Sequence, residues 1–312
     1  MTIDGPIRRA IPADAACSTW AAPDGWPIRR FDWPATGGGA ARGGLLFLTG
    51  RGDIFEKYLE AFGHWHRAGW SITSFDWRGQ GGSGRLSADR HVGHATDFAP
   101  WIADLAAYWR DWPVAGPRVV IGHSMGGFLL LRALAERAID PAAAVLVAPM
   151  LGLRSPVGAR IGELSARLMR RLGDPARAAW KTNERPGTRI DRQKLLTGDA
   201  ARYDDERYWY ARAPELALGP PSWAWLATAF AATRALRDDP RLPAIATPLL
   251  MLLAEADRLV DPRAAIAVAA RVPGAVVARF GAESAHEILR ETDIVRDRAL
   301  AAIDRFLDAH AR

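Results

Sequence analysis

The 312-residue chain contains a single cysteine, Cys17, and only three lysines among its 41 basic residues. One thiol excludes an internal disulfide framework and favours a reducing compartment. No apolar run reaches the roughly 18 residues that a membrane-spanning helix needs. The first residues also lack the apolar core of a signal peptide. We therefore expect a cytoplasmic protein without a transmembrane helix.

The sequence also lacks the signatures of nucleic-acid and metal binding. Its net charge is +6, and most of that excess lies in residues 151–181, which hold seven basic and two acidic side chains. A basic segment without a recognisable nucleic-acid-binding fold does not predict a nucleic-acid partner. Two histidine pairs, His64 with His66 and His91 with His94, are not completed by cysteines or carboxylates. We therefore expect no metal site.

Strands and helices alternate through most of the chain. A hairpin is predicted at 19–33, because apolar runs flank the turn at 23–25. The alternation after it implies a mostly parallel sheet with helices on both faces. It stops between 151 and 240, where the chain is helical and rich in arginine. Residues 1–150 and 241–312 are therefore predicted to form an α/β core, and residues 151–240 an inserted helical cap. The later strands are predicted at 45–49, 70–75, 118–121, 143–148, 248–253 and 275–280.

The pentapeptide Gly-His-Ser-Met-Gly at 122–126 has the Gly-x-Ser-x-Gly pattern in a specific context. It follows the β-branched run 118–121 and precedes residues 127–136, which are rich in helix formers. A serine at a sharp turn between a strand and a helix is typical of a nucleophile elbow. The flanking glycines permit the turn, because a side chain there would collide with the neighbouring strand or helix. The pattern predicts that Ser124 is a nucleophile.

A serine hydroxyl needs a base, and the base needs an orienting acid. Of the seven histidines, His286 follows the last predicted strand, at the sheet edge where Ser124 is expected. Asp261 precedes a proline and a helix, so it is explained as an N-cap, whereas Asp257 lies in the turn itself. The predicted triad is therefore Ser124, Asp257 and His286. The carboxylates that compete for the acid's role are Glu255, Asp257 and Asp261.

Acyl transfer also needs donors for a developing oxyanion. The backbone N–H of Met125, directly after the nucleophile, is one predicted donor. The loop 49–52 follows the first central strand, and its glycines allow close backbone approach. We predict the N–H of Arg51 in this loop as the second donor.

The glycine-rich segment 79–84 matches the dinucleotide-binding pattern Gly-x-Gly-x-x-Gly. That pattern has its meaning at the start of a helix in the first βα unit. Here it belongs to the second unit, and no clear helix follows it. We therefore expect no nucleotide, and no organic cofactor of another kind.

These motifs resemble the α/β-hydrolase superfamily and, within it, the bacterial lysophospholipase and monoacylglycerol-lipase-like branch. The elbow is the most specific of them, and the triad has the chain order of that superfamily. Further similar segments lie at 76–84, 91–98, 248–262 and 286–291. The similarity covers residues 15–150 and 240–310 and is weak across the cap. Thr49 stands where that branch often has a histidine.

The resemblance implies an α/β-hydrolase fold and a serine hydrolase that cleaves carboxylic esters through an acyl-enzyme on Ser124. A small acyl ester or a lysolipid would be the substrate. An aminopeptidase, a thioesterase or a carbon–carbon hydrolase would use the same triad, although relatives of the prolyl-iminopeptidase type usually have tryptophan at the position of Met125. A non-catalytic binding protein on this fold is the alternative from another class.

The cap carries two features that bear on the substrate. Its first segment predicts a basic amphipathic helix. The simpler interpretation is that the apolar stripe packs on the core, and the other is that it contacts an anionic lipid surface such as the inner membrane face. The aromatic residues further along form either an acyl-chain tunnel, which we favour, or the cap's own core. The stripe consists of Ile161, Leu164, Leu168 and Leu172, and the aromatic residues are Trp209, Trp223, Trp225 and Phe230.

Overall fold

An eight-stranded sheet forms the centre of the structure, a computed structural model that describes residues 7–35, 41–155, 157–180 and 192–311. The strands are β1 (Ala16–Ala21), β2 (Pro27–Trp33), β3 (Gly43–Leu48), β4 (Trp70–Phe75), β5 (Arg118–His123), β6 (Ala143–Val147), β7 (Leu249–Ala254) and β8 (Val276–Phe280). Their order is β1-β2-β4-β3-β5-β6-β7-β8. The predicted hairpin is confirmed, because β1 and β2 pair antiparallel. The predicted parallel sheet is also confirmed, since β3 to β8 all pair parallel.

Nine α-helices lie in the described ranges. They are α1 (Leu59–Arg67), α2 (Ala99–Asp111), α3 (Met125–Ala135), α4 (Ala159–Arg171), α5 (Arg192–Leu196), α6 (Ala200–Arg212), α7 (Trp223–Arg237), α8 (Pro262–Ala269) and α9 (Asp293–His310). Apolar side chains of α2, α3 and α8 cover one face of the sheet, and those of α1 and α9 cover the other. Every residue of β3, β6 and β7 is therefore buried, as expected for strands enclosed between helical layers.

The predicted helix boundaries shift where local chemistry interferes. Apolar periodicity over 95–112 predicts a helix there, but α2 begins at Ala99, because Pro100 fits the first turn of a helix and not its interior. The same periodicity over 54–68 predicts a second helix, which starts as a short 3₁₀ turn, Phe55–Tyr58, before α1. Neither shift moves an apolar side chain out of the core.

Helices α4 to α7 lie between β6 and β7, where the sequence predicts the cap. Trp225, Ala229 and Leu236 of α7 join the core layer formed by α2, α3 and α8. The division into a core and a cap at residues 151–240 stays a prediction. Lys181, which belongs to the basic segment, lies outside the described residues. None of the helices in the described ranges combines the length and apolar character needed to cross a membrane.

The prediction that the apolar stripe of the first cap helix packs on the core is wrong. Helix α4 contacts α7 through its opposite face, where Gly162 and Ala166 allow close approach to Phe230. A Cβ on Gly162 would lie 3.1 Å from the ring of Phe230. The small residues thus decide which face is buried, and the larger ones point outward. The outward residues, between 54% and 64% exposed, are Ile161, Leu164, Leu168 and Leu172.

Candidate active site

Ser124 lies in the turn between β5 and α3, at the carboxyl edge of the sheet. Its φ of 51° is a left-handed conformation that residues with side chains rarely adopt. The turn is held from both sides, since the Ser124 amide donates to Val147 O and its carbonyl accepts from the amide of Met150, both at 2.9 Å. A Cβ on Gly122 would lie 2.7 Å from the carbonyl oxygen of Gly126. Strand β5 and helix α3 therefore approach each other more closely than a residue other than glycine at position 122 would allow.

The structure brings the three predicted triad side chains together. His286 Nε2 lies 2.9 Å from Ser124 Oγ, and His286 Nδ1 lies 2.6 Å from Asp257 Oδ2. The other carboxylate oxygen of Asp257 accepts hydrogen bonds from the amides of Leu259 at 2.7 Å and Val260 at 3.0 Å. The carboxylate is thus fixed by the turn after β7, and the imidazole is fixed by the carboxylate.

The two competing carboxylates have other partners. Asp261 accepts a hydrogen bond at 3.0 Å from the amide of Arg263 and so caps α8. Glu255 pairs with Arg279 at 2.6 Å on the surface. Of the three carboxylates, Asp257 is the one that pairs with His286.

The pair formed by His286 and Asp257 sets the pKa of both groups. Burial by itself lowers the pKa of His286, but the charge of Asp257 and the hydrogen bond to it raise that pKa above its ordinary value. Burial likewise raises the pKa of Asp257, yet the charge of His286 and two backbone amides hold it below its ordinary value. The carboxylate is therefore ionised at neutral pH, and it keeps a proton on the facing Nδ1.

The two predicted oxyanion donors belong to elements that meet beside Ser124. Met125 is the first residue of α3, where helix geometry leaves an amide without an intrahelical acceptor. The loop that contains Arg51 approaches the same point, since a Cβ on Gly50 would lie 3.3 Å from Ser124 Cβ. The start of α3 and the loop of Arg51 thus both lie close to Ser124, and the role of the two amides as oxyanion donors stays a prediction.

Two side chains that the sequence analysis missed hold this loop on both sides of Arg51. Asp53 accepts a hydrogen bond from the amide of Gly50 at 3.3 Å, and Gln80 accepts one from the amide of Gly52 at 2.6 Å. Gln80 belongs to the glycine-rich segment 79–84, so that segment supports the loop. The dinucleotide-like pattern was the available signal for it, although it points to a different function.

His123, the variable residue of the elbow, was also missed. Its Nδ1 lies 2.8 Å from the hydroxyl of Tyr58 and 3.3 Å from Asp53 Oδ2, and its Nε2 lies 3.4 Å from the carbonyl oxygen of His286. The ring therefore connects the oxyanion loop to the loop of His286. Its place directly before Ser124 was the one signal in the sequence.

One of the four aromatic residues predicted to bind substrate lies beside the oxyanion loop. Trp225 is buried next to Phe98, with the ring centroids 5.9 Å apart. The guanidinium of Arg51 lies 5.3 Å from the centroid of its ring. Trp225 thus packs in the core layer beside the side chain of Arg51, and its contact with substrate stays a prediction.

The other three aromatic residues lie in different surroundings. Trp223 and Phe230 pack with Ala166 of α4, as the core of the cap would. The indole of Trp209 donates a hydrogen bond to the carbonyl of Arg8 at 3.0 Å, near the amino-terminal segment. The structure therefore does not gather the four into one tunnel, and the contacts of these three are those of ordinary packing.

Comparison with known proteins identifies relatives across nearly the whole chain. Residues 39–293 match the model of the family described as serine aminopeptidase, S33. Lysophospholipase L2 of Escherichia coli K12 is 32% identical over 286 residues, which cover 85% of this chain and 80% of that protein.

Similar folds occur among solved structures. A soluble variant of the monoglyceride lipase of Saccharomyces cerevisiae matches with a TM-score of 0.75 and 18% identity, covering 99% of this chain and 100% of that one. The monoacylglycerol lipase of Paleococcus ferrophilus matches with a TM-score of 0.69 and 19% identity, covering 91% and 99%. At these identities the likeness concerns the fold alone. The α/β-hydrolase fold and the resemblance predicted from the sequence are thus confirmed.

We expect Gly126→Ala to lower the free energy of unfolding by about 1–3 kcal/mol, which is the usual cost of overpacking. The added Cβ would lie 2.5 Å from the carbonyl oxygen of Thr49 and would push α3 away from β3. Gly63→Ala in α1 is the matched control, because its Cβ would meet nothing nearer than 3.3 Å. Urea denaturation measures both. Equal stability of the two variants would contradict the close approach described here.

We expect Asp257→Asn to lower the pKa of His286, because it removes the negative charge that raises this pKa against the effect of burial. The wild-type imidazole gains its proton first as the pH falls, and the variant gains it at lower pH. NMR titration of the His286 ring measures the difference. Asp261→Asn, at the cap of α8, should leave the titration where it is. An unchanged pKa in Asp257→Asn would contradict the assigned pair.

Proposed function

Because this chain belongs to the serine aminopeptidase, S33, family and to its lysophospholipase-like branch of serine ester hydrolases, we propose that it cleaves the acyl ester of lysophospholipids through Ser124. The observation that carries the proposal is the placement of His286 between the Ser124 hydroxyl and the Asp257 carboxylate, at 2.9 and 2.6 Å. A buried serine–imidazole–carboxylate chain of this geometry activates a nucleophile for acyl transfer.

In the first step Ser124 Oγ attacks the ester carbonyl while His286 Nε2 takes the hydroxyl proton. Asp257 stays ionised, keeps the imidazole in the reactive tautomer and stabilises its positive charge. The backbone N–H groups of Met125 and Arg51 bind the oxyanion. Collapse of the tetrahedral intermediate breaks the bond to the alcohol oxygen, which receives the proton from His286. The fatty acid remains bound to Ser124 as an ester.

In the second step a water molecule replaces the alcohol. His286 takes a proton from this water as it attacks the acyl-enzyme, and the same amides bind the second oxyanion. Return of the proton to Ser124 Oγ releases the fatty acid. Since His286 must be neutral to act as base, kcat/KM rises as the pH rises through the pKa of this group, which the charge of Asp257 places above its ordinary value although burial opposes the shift.

We infer that the outward stripe of α4 contacts an anionic membrane face. Its four large apolar residues are more than half exposed and occur on a helix that also carries arginines. An apolar stripe next to basic residues inserts at the boundary between lipid headgroups and acyl chains. A lysolipid resides at such a boundary, so the contact would bring enzyme and substrate together. The arginines of the helix are Arg160, Arg167, Arg170 and Arg171.

We expect wild type to hydrolyse lysophosphatidylcholine, and Ser124→Ala to lose this activity. A panel that also contains monoacylglycerol, p-nitrophenyl esters of rising chain length and proline arylamides defines the preference. Loss of labelling by a fluorophosphonate in Ser124→Ala should accompany the loss of turnover. Turnover limited to short esters would exclude the lysolipid, and turnover limited to arylamides would indicate a peptidase. Neither turnover nor labelling in wild type would indicate a binding protein.

We expect Leu164→Glu to weaken binding to phosphatidylglycerol vesicles by about 10-fold, because burial of one leucine contributes about 1.5–3 kcal/mol. Hydrolysis of a short, water-soluble ester should not change. Ile294→Glu in α9 is the matched control, since Ile294 is 84% exposed and lies outside the cap. Cosedimentation with the vesicles measures binding. Equal binding by the two variants would contradict the role of α4.

A further inference from the structure

Lys57 is buried among three carboxylates that come from separate parts of the chain. Its Nζ lies 2.8 Å from Glu206 and 2.7 Å from Glu287, and it also pairs with Asp53. An ammonium group has three N–H donors and no acceptor. One of these donors forms a hydrogen bond with Glu287, and Asp53 and Glu206 pair with the ammonium group through charge. The side chain of Lys57 is only 1% exposed, so water does not compete for these donors.

Two of these carboxylates lie next to elements of the proposed catalytic machinery, and the third belongs to the predicted cap. Asp53 accepts a hydrogen bond from the amide of Gly50, in the loop that contains the predicted oxyanion donor Arg51. Glu287 directly follows His286 in the chain. Glu206 belongs to α6, in the predicted cap. Lys57 is thus the point at which the oxyanion loop, the loop of His286 and a cap helix meet.

Two arginines complete the charge balance around Lys57. Arg290 pairs with Glu287, and Arg192 pairs with Glu206. Three cations thus face three carboxylates, which limits the cost of burying the charges. Burial lowers the pKa of Lys57, but the three carboxylates more than reverse this effect and keep the ammonium charged.

Hydrogen bonds join the end of α5 and the residues between α5 and α6 to the loop of His286. The amide of Glu287 donates to the carbonyl of Leu196 at 2.7 Å, and the hydroxyl of Thr197 donates to the carbonyl of Arg290 at 2.7 Å. The amide of Gly198 donates to Glu291 at 2.9 Å. A shift of α5 and α6 would therefore be passed to the loop that carries the proposed base.

We propose that Lys57 is a positioning residue whose ammonium group couples α6 of the cap to the loops that carry His286 and the oxyanion donors. The proposal rests on the proposed function, because it assigns Lys57 an effect on the reaction at Ser124. In this arrangement the position of α6 fixes the distance from His286 to Ser124 and Asp257. The catalytic rate then depends on a cap residue that contacts none of the three.

The test uses Glu206→Gln, because Lys57→Met would leave three buried carboxylates without their shared cation and is expected to unfold the protein. Glutamine keeps the shape of glutamate and removes its charge. We expect kcat to fall by about 10- to 100-fold with KM nearly unchanged, since a displacement of about 1 Å in a catalytic group has an effect of this size.

The matched control breaks a buried ion pair that involves neither Lys57 nor the three carboxylates around it. Asp104 in α2 lies 2.6 Å from Arg78, and Asp104→Asn removes one charge just as Glu206→Gln does. Its melting temperature should fall, and its kcat should stay at the wild-type value. If Glu206→Gln also lowers the melting temperature but leaves kcat at the wild-type value, as expected for Asp104→Asn, the proposal is overturned.

Glu287→Gln supplies a second arm. If Glu206 and Glu287 both act through Lys57, either substitution breaks the same connection. The kcat of the double variant should then be no lower than that of the less active single variant, because substitutions within one network are not additive. Losses that multiply would overturn the coupling through Lys57.

The NMR signal of the His286 Nδ1 proton separates failure of this proposal from failure of the proposed function. It is observable even if no ester is hydrolysed. We expect this signal to broaden or shift in Glu206→Gln and to stay in place in Asp104→Asn. An unchanged signal in Glu206→Gln would overturn the positioning role. A wild type that neither hydrolyses esters nor reacts with a fluorophosphonate would overturn the proposed function, and with it the effect on catalysis.

Discussion

The left-handed backbone of Ser124 is the constraint on which the arrangement of this site depends. A residue with a side chain holds that conformation only when its surroundings enforce it. Here the turn is bonded to the last residue of β6 and to the segment that follows it, and glycines at 122 and 126 let α3 approach β5 and β3. The same close approach points the hydroxyl out of the sheet edge and brings the start of α3 to the oxyanion loop.

Burial of charge is the second organising feature. His286, Asp257 and the group around Lys57 are buried, and in each case opposite charges or hydrogen bonds offset the cost of removing the groups from water. His123 connects the two, since its ring reaches Asp53 on one side and the carbonyl of His286 on the other. The charges of Glu287 and Asp53 also raise the pKa of His286, so the electrostatics of the proposed base depend on a network larger than the proposed triad.

The helices between β6 and β7 are attached to the rest of the protein in two different ways. Helix α5 is joined to the loop of His286 by a backbone hydrogen bond, and α6 is joined to it by the buried ion pair of Glu206 with Arg290 and through Lys57. Helix α4 is joined to α7 mainly through small residues, and it turns its large apolar side chains outward. The first attachment suits positioning of the base, and the second leaves a surface available for a lipid boundary.

The sequence by itself determined the parallel sheet, because strand periodicity is a local signal. It also predicted the elbow at Ser124 from the turn glycines, and His286 and Asp257 from their places after predicted strands and from the chain order of the α/β-hydrolases. Tertiary structure alone decided what depends on contacts between distant segments. Gly162 and Ala166 fit against Phe230, so the stripe of α4 faces outward and not toward the core. Lys57 meets carboxylates about 150 and 230 positions away, a convergence that no local pattern encodes, because burial and charge pairing act through space.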